Sequence, residues 1–359
     1  MPAQTGLVLH AAGALGAFEV GALKRLYENR DFAPDIISAT SIGAVNAACI
    51  VGGREHPIKT LTQVWGRFSI SSAPMLPQFY QRILSLYGNP NFFSMRPNYL
   101  APFWTSFYDN LRLRRVLQEC IDFGKLNSSP INLIISAADT QTGQTESFDN
   151  RQTRLTIDHI LAACSLPPAF PATKVNGKSY WDGGLFCNNS LAPIIDRMGP
   201  EVSKHLYVIN LLPTHARPPQ DMLAVFARII EILFSNQVAN DVKTTKQIDE
   251  FAEAMAFVEK HMPAAALKKA RAMPGYRRLT GYKLIKNLTV ISDTDPASAS
   301  GPLDFSEQTI ARRIDAGYRA AARALPSRAP ATPTPAARPI PAARPARRPP
   351  RRRQAAGAR

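Results

Sequence analysis

Five residues, Ala39-Thr40-Ser41-Ile42-Gly43, join the apolar run Ile36-Ile37 to a stretch with helical character from Ile42 to Ile50. Small residues let a chain turn sharply, and a strand that passes into a helix through such a turn presents its apex residue beside the first-turn amides of the helix. Ser41 occupies that apex, where an acyl-transfer nucleophile belongs. Serine and small residues also mark many tight turns without chemistry, so the reading depends on what else the chain carries.

Two further segments complete it. Thr5-Gly6-Leu7-Val8-Leu9 reads as a buried strand that passes through His10-Ala11-Ala12-Gly13-Ala14-Leu15-Gly16 into a helical pattern ending near Arg30. Consecutive tiny residues between a strand and a helix leave backbone N–H groups bare and convergent, which suits a phosphate or a developing oxyanion. Far downstream, the Tyr/Trp strand of Ser179-Tyr180-Trp181-Asp182 ends in a carboxylate followed by Gly183 and Gly184. Flanking glycines admit close approach of another backbone or a ligand, so Asp182 is the candidate to orient and deprotonate Ser41. A nucleotide-phosphate site fits poorly, because no Lys-Ser/Thr follows the loop and the dinucleotide fingerprint is broken at Ala11.

In this order, the loop, the serine elbow and Asp-Gly-Gly resemble the patatin-like phospholipase family, lipid acyl hydrolases with a Ser–Asp dyad and no histidine. The resemblance rests on Leu7 to Phe18, on Ala39 to Ala48, on Leu166-Pro167-Pro168-Ala169-Phe170-Pro171 and on Tyr180-Trp181-Asp182-Gly183-Gly184-Leu185, and it extends over roughly residues 5 to 210. It implies Ser41 and Asp182 as catalytic residues, Ala11 to Gly16 as the oxyanion loop, and Ala39, Thr40, Ile42 and Gly43 as the elbow around the nucleophile. The chain departs from the family pattern at Ala11 and Ala12, where the loop has glycines, at Leu15, where it has a basic residue, and at Ala39, where the elbow begins with glycine. Alanine keeps the amide donor but is strained wherever φ must be positive. Those substitutions motivate the alternative function, a catalytically weak or inactive patatin-fold protein that binds lipid or a membrane.

The chain holds 43 Lys and Arg against 27 Asp and Glu, a net charge of +16 over 359 residues. Pro326 to Arg359 alone contributes nine Arg and no acid, so the remainder carries only +7. With nine interleaved Pro, that tail cannot bury a core and is expected to be disordered with polyproline-II character. Its Arg347-Arg348 and Arg351-Arg352-Arg353 suit anionic lipid head groups, and the lack of aromatic residues to stack on bases argues against nucleic acid. Cys49, Cys120, Cys164 and Cys187 lack C-x-x-C spacing and read as buried free thiols. The first strand starts too early for a signal peptide and no apolar stretch approaches about 18 residues, so the expected location is cytoplasmic, with peripheral association at the inner membrane surface.

Strands alternating with helices predict an α/β fold with a doubly wound, largely parallel sheet and the site at the carboxyl ends of its strands. The expected organisation is a catalytic domain over 1–215, a helical C-terminal extension over 216–325 and the basic tail over 326–359. The aromatic, proline-broken segment 69–110 is a candidate lid or packed insertion. Helices are expected over 57–68, 112–122 and 156–164 and strands over 131–137, 145–148 and 206–212. Asp139 reads as a turn residue, and the face made by Leu223, Phe226, Ile230 and Leu233 as core. A last helix is expected from Asp304, capped with the help of Glu307. No histidine pair has metal-ligand spacing and no cofactor is implied. His10 is the one histidine beside the oxyanion loop and the candidate third member of a triad with Ser41 and Asp182.

Overall fold

The computed structural model describes residues 3–10, 13–70, 88–96, 104–185, 191–198, 203–211, 218–220, 222–280, 285, 287–292 and 301–325. The strands are β1 Ala3–Leu9, β2 Ile36–Ala39, β3 Gly88–Asn89, β4 Phe93–Met95, β5 Tyr108–Asp109, β6 Asn132–Asp139, β7 Thr145–Asp149, β8 Thr173–Val175, β9 Lys178–Asp182, β10 Ser203–Asn210 and β11 Asn287–Ser292. The α-helices are α1 Ala17–Tyr27, α2 Ile42–Gly52, α3 Pro57–Phe68, α4 Leu111–Cys120, α5 Phe123–Ser128, α6 Ile157–Ala163, α7 Ala192–Arg197, α8 Met222–His261, α9 Ala264–Ala272, α10 Pro274–Thr280 and α11 Glu307–Ala324.

The main sheet has the order β11-β10-β1-β2-β6-β9-β8, with β7 against the other edge of β6. Pairings from β11 through β6 are parallel, whereas β7, β8 and β9 join antiparallel. Its period-2 pattern feeds two cores. Leu7, Leu9, Ile37, Leu133 and Ile135 face the larger core with α1, α2 and α3. Val8, Ile36 and Ile134 face a smaller one completed by Ile194, Met198 and Leu206. Both faces are therefore covered, as parallel strands rich in Val, Ile and Leu require.

Two features depart from the sequence reading, and a third, the β8–β9 hairpin, was not read from it. β11 extends the sheet from within the region read as helical. It is a half-buried edge strand, so its apolar alternation is weak, although Val290 and Ile291 carried a strand signal. Asn176 and Gly177 both have positive φ, 48° and 84°, and close the β8–β9 hairpin as the Asn-Gly pair of a type I′ turn does. The last helix begins at Glu307 with Ser306 at its N-cap. Asp304 sits outside it, accepting from the Ser306 amide at 3.0 Å and the Thr309 hydroxyl at 3.0 Å.

In the 69–110 segment, the described residues include the small antiparallel sheet β3-β4-β5, whose Phe93 and Tyr108 pack into the core with Phe92, while Phe107 stays exposed. Phe92 and Phe305 ring centroids lie 4.9 Å apart, and those of Phe93 and Tyr108 lie 4.8 Å apart. Residues 71–87 and 97–103, where a lid would also draw its aromatics, lie outside the described residues, as do the 326–359 tail, Cys187 and the side chains of Leu223, Phe226, Ile230 and Leu233.

Helix α11 crosses α1 at backbone contact distance. A Cβ on Gly21 would stand 1.8 Å from the Ile314 carbonyl oxygen, and one on Gly317 would stand 1.9 Å from that of Phe18. The crossing accepts no side chain at either position, which fixes residues 301–325 against the helix that follows the oxyanion loop.

Candidate active site

The register of β6 brings Ser41 and Asp182 together. β7 pairs with Ile134 to Ala138, β2 with Asn132 to Ile135 and β9 with Ala137 to Asp139. Both β2 and β9 overlap residues already paired to β7, so both lie on the opposite edge of β6. They approach along that edge from opposite directions. β2 ends with Ala39 opposite Ile135, and β9 ends with Asp182 opposite Ala137. Two residues of strand separate these ends, about 7 Å at the usual rise, and Ser41 follows Ala39 by two.

Ser41 is the N-cap of α2, with φ 55° and ψ −136°, and is 7% exposed. A non-glycine residue in the left-handed half of the map is strained, and such strain is held where the surroundings over-determine it. Here the Thr40 amide donates to the Leu9 carbonyl at 3.2 Å and the Ala44 amide to the Ser41 carbonyl at 2.9 Å. That same carbonyl accepts from the Cys164 thiol at 3.0 Å. The elbow is thus tied to β1, to its own helix and to the residue that ends α6.

Asp182 is fully buried. Its amide donates to the Ser165 carbonyl at 3.0 Å, and its Oδ1 accepts from the Gly184 amide at 2.9 Å. Its Oδ2 is buried and makes no hydrogen bond of good geometry with the described residues. Burial raises its pKa to about 7, while the neighbouring Ser41 hydroxyl and the Gly184 amide pull it down. Gly183 has a spatial reason, since its Cβ would stand 2.6 Å from the Ser136 carbonyl oxygen of β6. Asp139, read from the sequence as a turn residue, is instead the buried last residue of β6, paired with Tyr180 of β9, and its carboxylate accepts from the Gln141 amide of the turn that follows at 2.8 Å.

The oxyanion loop is described from Gly13 onward, and Ala11 and Ala12 lie outside the described residues. Gly13 has φ 54°, the conformation that alanine resists, and it is a glycine. Gly13 to Gly16 form a 3-10 turn in which Ala14, Leu15 and Gly16 are buried. The Ala14 amide donates to the Pro302 carbonyl at 2.7 Å, so it is engaged by the segment ahead of α11 instead of standing open. Ala39 is a strand residue ending β2, where alanine costs nothing.

His10 does not join a triad. It is buried, burial lowers its pKa to about 4, and the backbone contact acting on it is Ile209 of β10, across β1 from the elbow. The groups that act on Asp182 are Ser41 and Gly184. Cys49, Cys120 and Cys164 are buried free thiols, as their spacing suggested. Cys164 and Pro302 contribute contacts that no motif in the sequence announced. Among the described residues, no group of His, Cys, Asp and Glu could hold a metal ion, and no helix is long and apolar enough to cross a membrane.

Residues 7–195, more than half of the chain, match the family model of patatin-like phospholipases. The chain belongs to the patatin-like phospholipase family. Residues 232–336 match a second family model, described as patatin phospholipase. This patatin-like chain is 29% identical over 195 residues to triacylglycerol lipase 5 of Saccharomyces cerevisiae, a match covering 51% of the chain and 24% of the lipase. It is similar at 16% identity and a TM-score of 0.43 to the crystal structure of VipD from Legionella pneumophila, over 90% of this chain and 66% of that one. It also matches the ExoU–SpcU complex from the type III secretion system of Pseudomonas aeruginosa at 16% identity and a TM-score of 0.32, over 68% and 52% of the respective chains. The chain therefore spans about a quarter of the length of the yeast lipase it matches.

Proposed function

We propose that this patatin-like chain hydrolyses carboxylic esters of phospholipids or related lipids through a Ser41–Asp182 dyad and an acyl-enzyme. The observation that carries the reading is the meeting of β2 and β9 on one edge of β6, which sets a strained serine beside a buried carboxylate. An ordinary aspartate, near 3.9, is a weak base at neutral pH, whereas one near 7 is matched to accepting the proton of a hydroxyl.

In the first half-reaction Asp182 accepts the Ser41 proton as Oγ bonds to the carbonyl carbon. The tetrahedral oxyanion is held by loop amides, with Ala12 and Gly13 the proposed donors and Ala14 bracing the loop through Pro302. The ester C–O bond then breaks and the alcohol departs with the proton from Asp182. In the second half-reaction Asp182 takes a proton from water as the water oxygen attacks the acyl carbon. The Ser41 Oγ leaves, recovers that proton, and the fatty acid is released.

A lipid surface as the place of action is supported by Phe251, Phe257, Val258 and Met273, exposed on α8 and at the end of α9 beside the exposed Lys260, Lys268, Lys269 and Arg271. The arginines of the 326–359 tail add further positive charge for anionic lipid, and a peripheral place at the cytoplasmic side of a membrane is part of this reading.

The test is reaction of wild type, Ser41→Ala and Asp182→Asn with a fluorescent phosphonate, alongside turnover of p-nitrophenyl acyl esters. Labelling and turnover in wild type and their loss in both variants are expected. A folded wild type that neither labels nor turns over would leave the lipid-binding alternative in its place.

A further inference from the structure

Behind the two catalytic loops lies a buried polar cluster that the proton transfers above do not use. Glu19, in the first turn of α1, is fully buried, and its Oε2 accepts from Asn46 Nδ2 at 2.8 Å. The same Nδ2 donates to the Gly16 carbonyl at 3.2 Å. Asn46 Oδ1 accepts from the Trp65 indole N–H at 2.7 Å, and Trp65 is itself buried. The backbone N–H of His10 lies near the Glu19 carboxyl, whose Oε1 makes no hydrogen bond of good geometry with the described residues.

These contacts bracket the oxyanion loop. His10 immediately precedes it and Gly16 is its last residue: Asn46 binds the Gly16 carbonyl, and the Glu19 carboxyl lies beside the His10 amide. Asn46 belongs to α2 and lies five residues after Ser41, less than a turn and a half along the helix. One pair of side chains thus ties the Gly16 end of the loop to the helix that carries the nucleophile and stands beside its His10 end. We propose that Glu19 and Asn46 are positioning residues that hold the oxyanion loop in register with Ser41, an inference that rests on the hydrolase reading.

The chemistry of the pair fits a fixed spacer. Among the described residues Glu19 has no ion-pair partner, and burial holds its carboxyl well above the usual carboxylate range, with Asn46 and the His10 amide pulling it back. Burial disfavours a charge on Glu19 under the loop, and its Oε2 accepts from Asn46. Asn46 spends both ends of its amide, and Trp65 pins its oxygen so that the amide cannot flip. A loop misplaced by about 1 Å costs on the order of 10²-fold in rate, so a spacer of this kind governs kcat more than substrate affinity.

The test compares wild type with Asn46→Ala, Glu19→Ala, Glu19→Gln and Trp65→Phe by kcat and KM on a short p-nitrophenyl ester, phosphonate labelling rate, melting temperature and backbone amide exchange. Asn46→Ala and Glu19→Ala are expected to lower kcat and labelling by about 10- to 100-fold, to move KM less than about threefold, and to speed exchange at residues 10–16 while leaving β6 unchanged. Glu19→Gln, isosteric and neutral, is expected to restore most of the kcat that Glu19→Ala loses. Wild-type kcat and loop exchange in a folded Asn46→Ala protein would overturn the proposal. If that variant does not fold, the same result in Trp65→Phe, which deletes the indole hydrogen bond while keeping an aromatic ring in place, would overturn it. An inert wild type would sink the hydrolase reading alone, because exchange at residues 10–16 still decides whether the pair positions the loop.

Discussion

The Cys164 thiol, at the end of α6, donates to the carbonyl of Ser41 at 3.0 Å, so the strained elbow is braced from a segment 123 residues downstream. Cys164→Ser preserves a donor there and is expected to keep kcat within about threefold, whereas Cys164→Ala removes the donor at a cost of about 1 kcal/mol in stability. Burial and the nearby Asp182 push this thiol well above its usual range. Native protein should therefore resist iodoacetamide at Cys164 while Ser41 reacts with a phosphonate. Rapid alkylation of Cys164 in the folded protein would contradict the packing described.

The raised pKa of Asp182 has a signed consequence for activity. A general base acts ionised, so kcat/KM is expected to rise through a midpoint near pH 7 and then level off. A pH–rate profile with its midpoint near 4 would mean an ordinary, solvated carboxylate.

The same shift affects stability. The folded state holds the Asp182 proton more tightly than the unfolded chain, so this group's contribution is fully present below about pH 4 and lost as pH rises through 7. Thermal melts should show Asp182→Asn gaining on wild type between pH 5 and pH 8. An equal difference at both pH values would remove the linkage.

The alanines of the two motifs make separate predictions. Ala39 ends a strand, so Ala39→Gly is expected to leave kcat unimproved and to cost roughly 0.5–1 kcal/mol in a denaturant titration. Gly13 combines φ 54° with a would-be Cβ 2.3 Å from the Pro302 carbonyl oxygen, so Gly13→Ala is expected to lower kcat by about 10²-fold or more. A marked rise in kcat for Ala39→Gly would show that the elbow is hampered as it stands.

Attraction of the basic tail to anionic lipid is checked by vesicle flotation. Truncation after Leu325 is expected to weaken binding to phosphatidylserine-containing vesicles, and added salt is expected to do the same for the full chain. Binding indifferent to both would assign any membrane contact to the exposed apolar residues of α8 and α9.

The elbow, the loop and Asp182 were legible because each joins a strand to a turn through residues whose small size has a local cause. The pairing of Ser41 with Asp182 was suggested by the glycines after Asp182 and by the resemblance, but its geometry was not legible, since it depends on β6 accepting two strands on one edge, a register that no local pattern encodes. Tertiary context likewise hid the partner of Ala14, the role of Cys164 and strand β11, whose half-buried edge position gives little alternation. His10 drew attention through its place in the sequence, but its buried ring nitrogens make no hydrogen bond of good geometry with the described residues, and the groups that act on Asp182 are Ser41 and Gly184.

The close crossing of Gly21 and Gly317, together with the Pro302 carbonyl on Ala14, bears on when activity begins. A growing chain possesses Ser41 and Asp182 long before residue 302 has been made. Until then the face of α1 around Gly21 is bare and the loop ahead of it is unbraced. Under the proposed function, a lipid-cleaving enzyme would stay silent on the ribosome until residues 302 to 317 had been synthesised.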